Sequence, residues 1–358
     1  MNFDTVYKSL SDFPIDDYCT FVKAVDTSYQ NMTSRKYEID NDKRHAFNLS
    51  QISRDKLHDS FVIRHRDVSF DCLMTPYDIN TADSLFVIFS GARTVKNGVI
   101  VDQLPIFKRW SYYEFTDSIV LNIADPMFHK HDNLALGWYY GSKTESYIEY
   151  LAKIIEYVCN TLNIKHEKLF LFGSSGGGYV ALQLSMYLKN ANHIAINPQI
   201  FLDKFSYSKE FCRQTGINLT EKDPYRRNET IDIIKEKILS NDSKFLILQN
   251  LQEKRDCEEH IFPLLKNLGI QKLHLGLNEY QNLLFWLYSC VGGHNTQGDQ
   301  LIFSHILYLA KKLSSSDKIS SYDHFLIKNI SCLWRQIEWY KFRASQLSSC
   351  NLNINSKS

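Results

Sequence analysis

The stretch KLFLFGSSGGGYVALQLS, residues 168–185, joins three local patterns. A continuous apolar run comes first, and such a run predicts a β-strand that is covered on both faces. Two serines and four glycines follow, and apolar residues then recur at helical spacing. The sequence therefore predicts a strand–turn–helix unit with a glycine-rich turn.

Three kinds of site use such a turn. A phosphate-binding loop needs a lysine and a serine or threonine after its last glycine, but Tyr179 and Val180 follow Gly178. A dinucleotide-binding turn stays as an alternative, although the motif lies in mid-chain and no acidic residue ends a following strand at the usual offset. Residues 173–177 also match G-x-S-x-G, whose glycines allow a tight turn that exposes the central hydroxyl. We interpret Ser175 as a nucleophile; the alternative is that the glycines serve close packing alone.

A nucleophilic serine needs a base, because a hydroxyl at its ordinary pKa attacks poorly. In a hydrolase-type sheet, the histidine follows the serine and the acid along the chain. The segment LLFWLYSCVGGH, residues 283–294, reads as a strand followed by two glycines and His294. We therefore predict that His294 is the base, with a surface-loop histidine as the alternative.

The acid that would orient the base has two candidates in the loop after KFLILQN. Glu253 lies three residues beyond the strand that residues 244–250 predict, and Asp256 lies six beyond it. The offset favours Glu253. Asp256 has the commoner chemistry for the role, but it also suits the N-cap of a helix predicted to begin near Cys257.

An oxyanion needs backbone N–H donors near the nucleophile. One donor is expected from Gly176, directly after the serine, and the other from Gly91 or Ala92 in the loop after the run LFVIFSG. Arg93 in the same loop is a candidate clamp for an anionic group, although a solvated arginine is the competing interpretation.

Six short apolar runs without alternation predict the strands of a mostly parallel sheet, since helical patterns lie between several of them. The runs are residues 85–91, 118–125, 168–174, 193–199, 244–250 and 283–290. Residues 61–76 alternate apolar and polar side chains, which predicts an antiparallel pair. The predicted fold class is α/β, with a mostly parallel central sheet wrapped by helices.

The chain divides into three predicted parts. Residues 1–60 read as a polar N-terminal extension with a possible strand in KYEID, and residues 61–313 as the catalytic domain. Residues 198–243 are longer than a crossover needs and read as a lid insertion, which mixes aromatic and basic side chains. Residues 314–358 read as an aromatic helix and a polar tail.

Composition narrows the classes of partner. The 358 residues carry 41 basic and 40 acidic side chains, so no global field recruits nucleic acid or a membrane surface. No signal-peptide pattern is present and no run approaches the roughly 20 apolar residues of a membrane span, so we expect a cytoplasmic protein. The eight cysteines form no CxxC pair, which predicts reduced thiols and no metal site.

With Ser175, His294 and the Gly91 loop placed on this sheet, the chain resembles the α/β-hydrolase superfamily over residues 61–313. More narrowly, four segments are similar to the bacterial capsular polysaccharide O-acetyltransferases of α/β-hydrolase type, including those that acetylate polysialic acid. The segments are LGWYYGSKTESYIEYLAKII, FGSSGGGYVALQL, AINPQ and QNLQEKRDCEEHIFP. The superfamily match is specific, whereas the narrower one rests on scattered short motifs.

The resemblance implies transfer of an acetyl group from acetyl-CoA, a co-substrate, to a sugar hydroxyl through an acetyl-Ser175 intermediate. His294 would be the base, and the reaction would take place in the cytoplasm beside the capsule-synthesis machinery. The family pattern leads us to expect an aspartate after QN where this chain has Glu253, so the acid stays open between Glu253 and Asp256. Trp138 in GWYYG would line the acyl or acceptor pocket, or else pack in the core.

Two other functions fit the same residues. Water can resolve an acyl-serine as a sugar hydroxyl does, so a carboxylesterase, deacetylase or thioesterase is the first alternative. A catalytically silent domain that binds a carbohydrate or a partner enzyme is the second. The basic and aromatic lid favours a carbohydrate acceptor, anionic in character, or the phosphates of CoA. The sugar, the hydroxyl and the oligomeric state stay open.

Overall fold

The computed structural model describes residues 44–75, 82–295 and 300–355, so the possible strand in KYEID lies outside the described residues. The strands of the described chain are β1 (His45–Asn48), β2 (Asp59–His65), β3 (Val68–Thr75), β4 (Leu85–Phe89), β5 (Val95–Lys96), β6 (Val99–Ile100), β7 (Ile119–Ile123), β8 (Leu169–Ser174), β9 (Asn192–Ile196), β10 (Lys244–Asn250), β11 (Gly276–Tyr280) and β12 (Leu283–Tyr288). Within these ranges, ten strands form one sheet in the order β1-β2-β3-β7-β4-β8-β9-β10-β12-β11, and β5 and β6 form a separate hairpin.

The centre of the sheet is parallel. β7, β4, β8, β9, β10 and β12 pair in parallel, and they correspond to the six predicted apolar runs. β2 and β3 form the predicted antiparallel pair, and β11 adds an antiparallel edge to β12. The mostly parallel α/β sheet is therefore confirmed. The pattern missed β1 and β11; β1 lies within the predicted N-terminal extension but pairs with β2.

The helices are α1 (Met127–Lys130), α2 (Tyr147–Leu162), α3 (Gly176–Gln183), α4 (Ser208–Thr215), α5 (Thr230–Ser240), α6 (Lys254–Asp256), α7 (Phe262–Asn267), α8 (Gln300–Ser314) and α9 (Ser321–Asn355). A π-helical turn (Cys257–Ile261) joins α6 to α7. α3 ends earlier than its apolar pattern predicts. In the described part of the chain, no helix combines the length and the apolarity that crossing a membrane requires.

Alternate side chains of the central strands enter two cores, as the two-residue period of a strand dictates. In β4, Leu85 and Val87 enter the core that α2 and α3 cover, whereas Phe86 and Ile88 enter the core that α8 and α9 cover. Both sets of side chains are buried. A strand covered on both faces explains why its apolar run has no polar alternation.

The predicted lid insertion is shorter than residues 198–243. α5 within it packs on the sheet rather than over the site, because Ile231, Ile234 and Ile238 lie in one buried cluster with side chains of β9 and β10. α5 therefore serves as the crossover helix between those two strands. We use the name lid segment for the remaining part, residues 200–229, which contains α4.

Candidate active site

Ser175 occupies the turn between β8 and α3. Its φ is 56° and its ψ is −121°, a strained conformation for a residue with a side chain, and its amide N–H donates to Ile196 O at 2.9 Å. A Cβ on Gly173 would lie 2.1 Å from the carbonyl carbon of Gly177, and one on Gly177 would lie 2.5 Å from Phe89 O. The turn therefore needs its glycines, because helix backbone packs directly on strand backbone.

His294 follows β12 in a short 3₁₀ turn, and the structure brings it to the serine. Its Nε2 lies 2.8 Å from Ser175 Oγ. Its side chain is 21% exposed, so His294 lies at the rim of an otherwise buried centre. The two residues are far apart in sequence and meet because β8 and β12 end at the same edge of the sheet.

Two buried asparagines hold the histidine loop, and the sequence analysis did not single them out. Asn250 donates to Cys290 O at 2.8 Å and to Gly293 O at 3.0 Å, and it accepts from the Cys290 N–H at 3.0 Å. Asn197 donates to His294 O at 3.2 Å and accepts from the Asn250 N–H at 2.9 Å. Polar residues that end buried strands, as in INPQ and LILQN, are the signal that points to them.

Asp256 is the carboxylate that contacts the histidine ring. Its Oδ2 makes a short hydrogen bond with His294 Nδ1, and the side chain is 6% exposed. The preference for Glu253 is wrong for this contact: its Oε2 accepts from the backbone N–H of His294 at 3.2 Å. Both carboxylates thus hold the base, one by the ring and one by the backbone.

The start of α6 explains this exchange of roles. The helix begins at Lys254, earlier than the predicted start near Cys257, so Asp256 lies within it and does not cap it. His260, one turn further on, is buried; its Nδ1 accepts from the Phe201 N–H at 3.2 Å. Burial lowers the pKa of His260 to about 4, so this histidine is neutral at pH 7 and ties the lid segment to the body.

A second polar side chain contacts the hydroxyl of Ser175. Gln199 Nε2 donates to Ser175 Oγ at 2.8 Å, and Trp138 Nε1 donates to Gln199 Oε1 at 2.5 Å. Both side chains are fully buried. Trp138 was expected either to line a pocket or to pack in the core. The structure places its ring in the core and its N–H on the amide that contacts Ser175.

The buried carboxyl group of Asp125 holds the turn that carries Trp138. Trp138 and Tyr139 both have positive φ, 54° and 52°. Asp125 Oδ2 accepts from the Tyr139 N–H at 3.1 Å and Oδ1 from the Met127 N–H at 2.9 Å. Burial raises the pKa of Asp125 to about 7. These contacts fix the backbone of the turn against β7.

The predicted oxyanion donors lie together. A Cβ on Gly91 would lie 3.8 Å from Ser175 Cβ and 3.9 Å from the amide N of Gly176, so the loop after β4 lies beside the turn. Trp138 lies over Gly176, since a Cβ there would be 3.2 Å from its Cδ1. Ala92 is next in the same loop and is half-buried. The structure thus brings the candidate donors close to Ser175.

Arg93 does not extend toward an open anion site. Its guanidinium donates to Asp132 O at 2.7 Å and to Asp102 O at 3.0 Å, and it lies over the ring of Phe128 at 5.3 Å. Lys108 Nζ donates to the carbonyl of Ala92, and burial lowers the pKa of this lysine. These cations hold the loop after β4 in place.

Aromatic side chains of the lid segment border the histidine. The Phe205 ring lies 5.8 Å from the His294 ring and 6.5 Å from the Trp138 ring, between centroids. Tyr207 contacts Phe205 at 5.7 Å, and both are half-buried. Phe211 is fully buried and packs on Trp138 at 5.1 Å. The lid segment therefore places aromatic surface beside the reactive atoms.

The arginines of the lid segment are paired within it or with α5. Arg227 makes a bidentate ion pair with Asp223 and is 2% exposed. Arg226 pairs with Glu229 and Glu236, and the remaining pair joins Arg213 to Glu210. Arg227 also donates to three carbonyls of the turn after Trp138, those of Tyr140, Ser142 and Glu145. These arginines hold structure together, which differs from the expected anion-binding surface.

No metal site accompanies this geometry in residues 44–75, 82–295 and 300–355, where no group of three or more His, Cys, Asp or Glu side chains is arranged to hold an ion. The cysteines at positions 72, 159, 212, 257, 290 and 332 are free thiols.

The fold and the geometry define a class of protein. A serine on a strand–helix turn, with a carboxylate and a histidine that follow later strands, is the arrangement of an α/β-hydrolase site. The side chains follow the chain order serine, acid, histidine that this class uses. No family model matches the sequence, and no curated protein matches it.

Several solved structures are similar to this chain. A Glycosylation Associate Protein (Gap123) complex from Streptococcus agalactiae is 17% identical with a TM-score of 0.48, over 74% of this chain and 47% of that one. The capsule O-acetyltransferase of Neisseria meningitidis serogroup A, in complex with CoA, is 16% identical with a TM-score of 0.49, over 70% and 94%. An esterase from Pyrobaculum calidifontis is 12% identical with a TM-score of 0.44, over 72% and 83%. This chain thus spans about half of the first of them.

Proposed function

We propose that the protein is a serine-dependent O-acetyltransferase that moves an acetyl group from acetyl-CoA to a hydroxyl of a capsular or other surface polysaccharide. The observation that carries the proposal is the hydrogen-bonded series Asp256–His294–Ser175 on a strand–helix turn. Acetyl-CoA would be a co-substrate, and we place the reaction in the cytoplasm, where the capsule-building machinery would supply the acceptor.

The first half-reaction would acetylate the serine. Ser175 Oγ attacks the thioester carbonyl while its proton passes to His294 Nε2, and Asp256 stabilises the imidazolium that forms. Backbone N–H groups of Gly176 and of Gly91 or Ala92 would hold the oxyanion. Collapse breaks the carbon–sulfur bond, and the thiol of CoA leaves with the proton from His294.

The second half-reaction would transfer the acetyl group to a sugar. An acceptor hydroxyl gives its proton to His294 Nε2 and attacks the ester, and Ser175 Oγ recovers that proton as it leaves. Transfer exceeds hydrolysis when the site excludes water and positions the acceptor. The buried Oγ and the half-buried rings of Phe205 and Tyr207 support this, because aromatic faces stack on sugar rings.

A hydrolase is the second candidate, and one observation favours it. The lid arginines are used in ion pairs, which leaves less positive charge for the phosphates of CoA or for an anionic polymer.

Among the lid lysines, Lys209 and Lys222 are exposed and make no ion pair with a described residue. They are the proposed contacts of an anionic substrate. A silent binding domain would need a misplaced acid or base, whereas Asp256, His294 and Ser175 are hydrogen-bonded in series.

Intact-protein mass spectrometry after brief incubation with acetyl-CoA tests the proposal. The wild-type protein is expected to gain one acetyl group, and Ser175→Ala is expected to gain none, with activity at least ~10⁴-fold lower. Ser185→Ala, which changes a buried serine just after α3, is the matched control and should keep the adduct. Sialic acid polymers and other capsular sugars are then added in turn.

Each outcome of this experiment favours one of the three candidate functions. Loss of the adduct when a particular glycan is added supports the transferase and identifies its acceptor class. No adduct, together with rapid release of acetate or cleavage of simple esters, supports the hydrolase. No adduct and no ester turnover would exclude both enzymes and favour a binding domain.

A further inference from the structure

The hydroxyl of Ser175 has a hydrogen-bond partner besides the histidine. Gln199 Nε2 and His294 Nε2 each lie 2.8 Å from Ser175 Oγ. The backbone of Gln199 is tied to the same turn, since its N–H donates to Ser175 O at 3.3 Å. The amide is fully buried, so bulk water does not compete for this contact.

Trp138 decides which end of the Gln199 amide faces the serine. An indole N–H is a donor only, so it must contact the amide oxygen, and Trp138 Nε1 lies 2.5 Å from Gln199 Oε1. The NH₂ group then faces Ser175 Oγ. Trp138 is itself fixed by the buried ring of Phe211, at 5.1 Å, and by the turn that Asp125 holds.

The side-chain N–H of Gln199 also fixes the direction in which the O–H of Ser175 points. A hydroxyl has one hydrogen to donate and two lone pairs to accept with. With one lone pair of Ser175 Oγ accepting from Gln199, the O–H is directed to Nε2 of His294. The base therefore receives the proton along a prearranged hydrogen bond.

We propose that Gln199 is a catalytic residue and that Trp138 is its positioning residue. When the proton of Ser175 passes to His294, negative charge develops on Oγ, and the N–H of Gln199 is already placed to stabilise it. A fixed donor aimed at developing charge lowers the barrier because it needs no reorganisation. The same donor stabilises Oγ as the leaving oxygen of the second half-reaction, so both half-reactions depend on Gln199.

This inference rests on the proposed function in one respect, that Ser175 is the nucleophile. It does not depend on the donor or the acceptor. The test therefore uses two acyl donors, acetyl-CoA and p-nitrophenyl acetate, and measures acylation and deacylation of Ser175 separately in single-turnover experiments. An acetyl adduct formed from p-nitrophenyl acetate alone would overturn acetyl-CoA as the donor and would still allow Gln199 to be tested. If neither donor gives an adduct, both the proposed function and the role of Gln199 are overturned.

Three variants are compared with the wild type. Gln199→Met removes the donor at similar volume and is expected to slow both half-reactions about ten- to hundredfold. Gln199→Glu keeps the shape and the acceptor for Trp138 but places an oxygen against Oγ, so its loss should be larger. Trp138→Phe keeps an aromatic side chain and removes the indole N–H, with a loss of about three- to tenfold.

The order of these losses distinguishes catalysis from packing. If Gln199 only filled space, Gln199→Met would keep the wild-type rates of both half-reactions, because Met fills a similar volume. The apparent affinity for the acyl donor should change less than about threefold, and the acid limb of the pH–rate profile should not move, because Asp256 and His294 are untouched. Gln183→Met, another fully buried amide replaced in the same way, is the control and should acylate at the wild-type rate.

Two results would overturn the proposal. One is a folded Gln199→Met protein whose acylation and deacylation stay within twofold of the wild type. The other is a loss confined to donor affinity. If Gln199→Met does not fold, Trp138→Phe decides the question, and an unchanged rate in that variant would contradict the positioning of the amide.

Discussion

The frame of the site and the lid segment above it are built in different ways. In the frame, the turn of Ser175 and the loop of His294 are held by backbone bonds and by the fully buried amides of Asn197 and Asn250. In the lid segment, several contacts are ion pairs of partly exposed side chains, such as Arg213 with Glu210.

We expect the two regions to have different roles. Neutral amides carry no charge that salt or pH can alter, so in the buried frame they should keep Ser175 and His294 in one arrangement. Exposed ion pairs contribute little to stability and tolerate substitution. A change in the frame should therefore reduce the rate itself, whereas a change in the lid segment should alter stability or acceptor choice.

The sharpest contrast lies within the frame, between two carboxylates that contact one histidine. Asp256→Asn should lower kcat about 10³- to 10⁴-fold, because the amide no longer stabilises the imidazolium or fixes its tautomer. Glu253→Gln should lower kcat less than about threefold, since the amide oxygen of the glutamine still accepts from the backbone N–H of His294. Steady-state ester cleavage measures both, and similar losses in the two variants would contradict the assignment of Asp256.

The next contrast lies within the lid segment, between neighbouring arginines. Arg227→Met should reduce the free energy of unfolding by about 3–5 kcal/mol, because it leaves Asp223 buried and unpaired. Arg226→Met should cost about 0–1 kcal/mol, since its partners are exposed. Urea unfolding followed by circular dichroism measures both.

A double variant checks the cause of the Arg227 effect. Adding Asp223→Leu to Arg227→Met removes the unpaired carboxylate and should restore part of the lost stability. Equal losses in Arg227→Met and Arg226→Met would show that the two ion pairs do not differ as their burial indicates.

The smallest expected effect concerns the ring beside the base. Phe205→Ala should lower the ratio of transfer to hydrolysis about three- to tenfold, because the acceptor loses an aromatic face and water gains access to His294. Single-turnover acylation of Ser175 should be nearly unchanged. Phe325→Ala, which removes an exposed ring on α9, is the control. An equal change in that variant would contradict the proposed role of Phe205.

The fold followed from local patterns more completely than the site did. Each central parallel strand was visible as an apolar run, because burial on both faces removes polar residues from the strand. β1 and β11 were missed because short edge strands carry a weaker pattern. The lid was overestimated, since α5 has the sequence of an amphipathic helix whether it covers a site or a sheet.

The residues of the site differ in the same way: some follow from local patterns, and others depend on the tertiary structure. Ser175 follows from glycines within a few residues of it, and His294 follows from the end of a strand, so both depend on short-range geometry. The roles of Glu253 and Asp256 depend on where α6 begins, and helix boundaries are weakly encoded in sequence. Gln199 carries no motif of its own and becomes visible only when β8 and β9 lie side by side.

By itself, the sequence determined the strand–turn–helix unit around Ser175, the parallel sheet and the place of the histidine, because spacing and hydrophobic period act locally. Only the tertiary structure decided which carboxylate contacts His294, that Trp138 directs Gln199 to the serine, and that the lid arginines are paired. These contacts join residues distant in the chain, and differences of a few ångströms, which no sequence pattern records, decide whether a hydrogen bond forms.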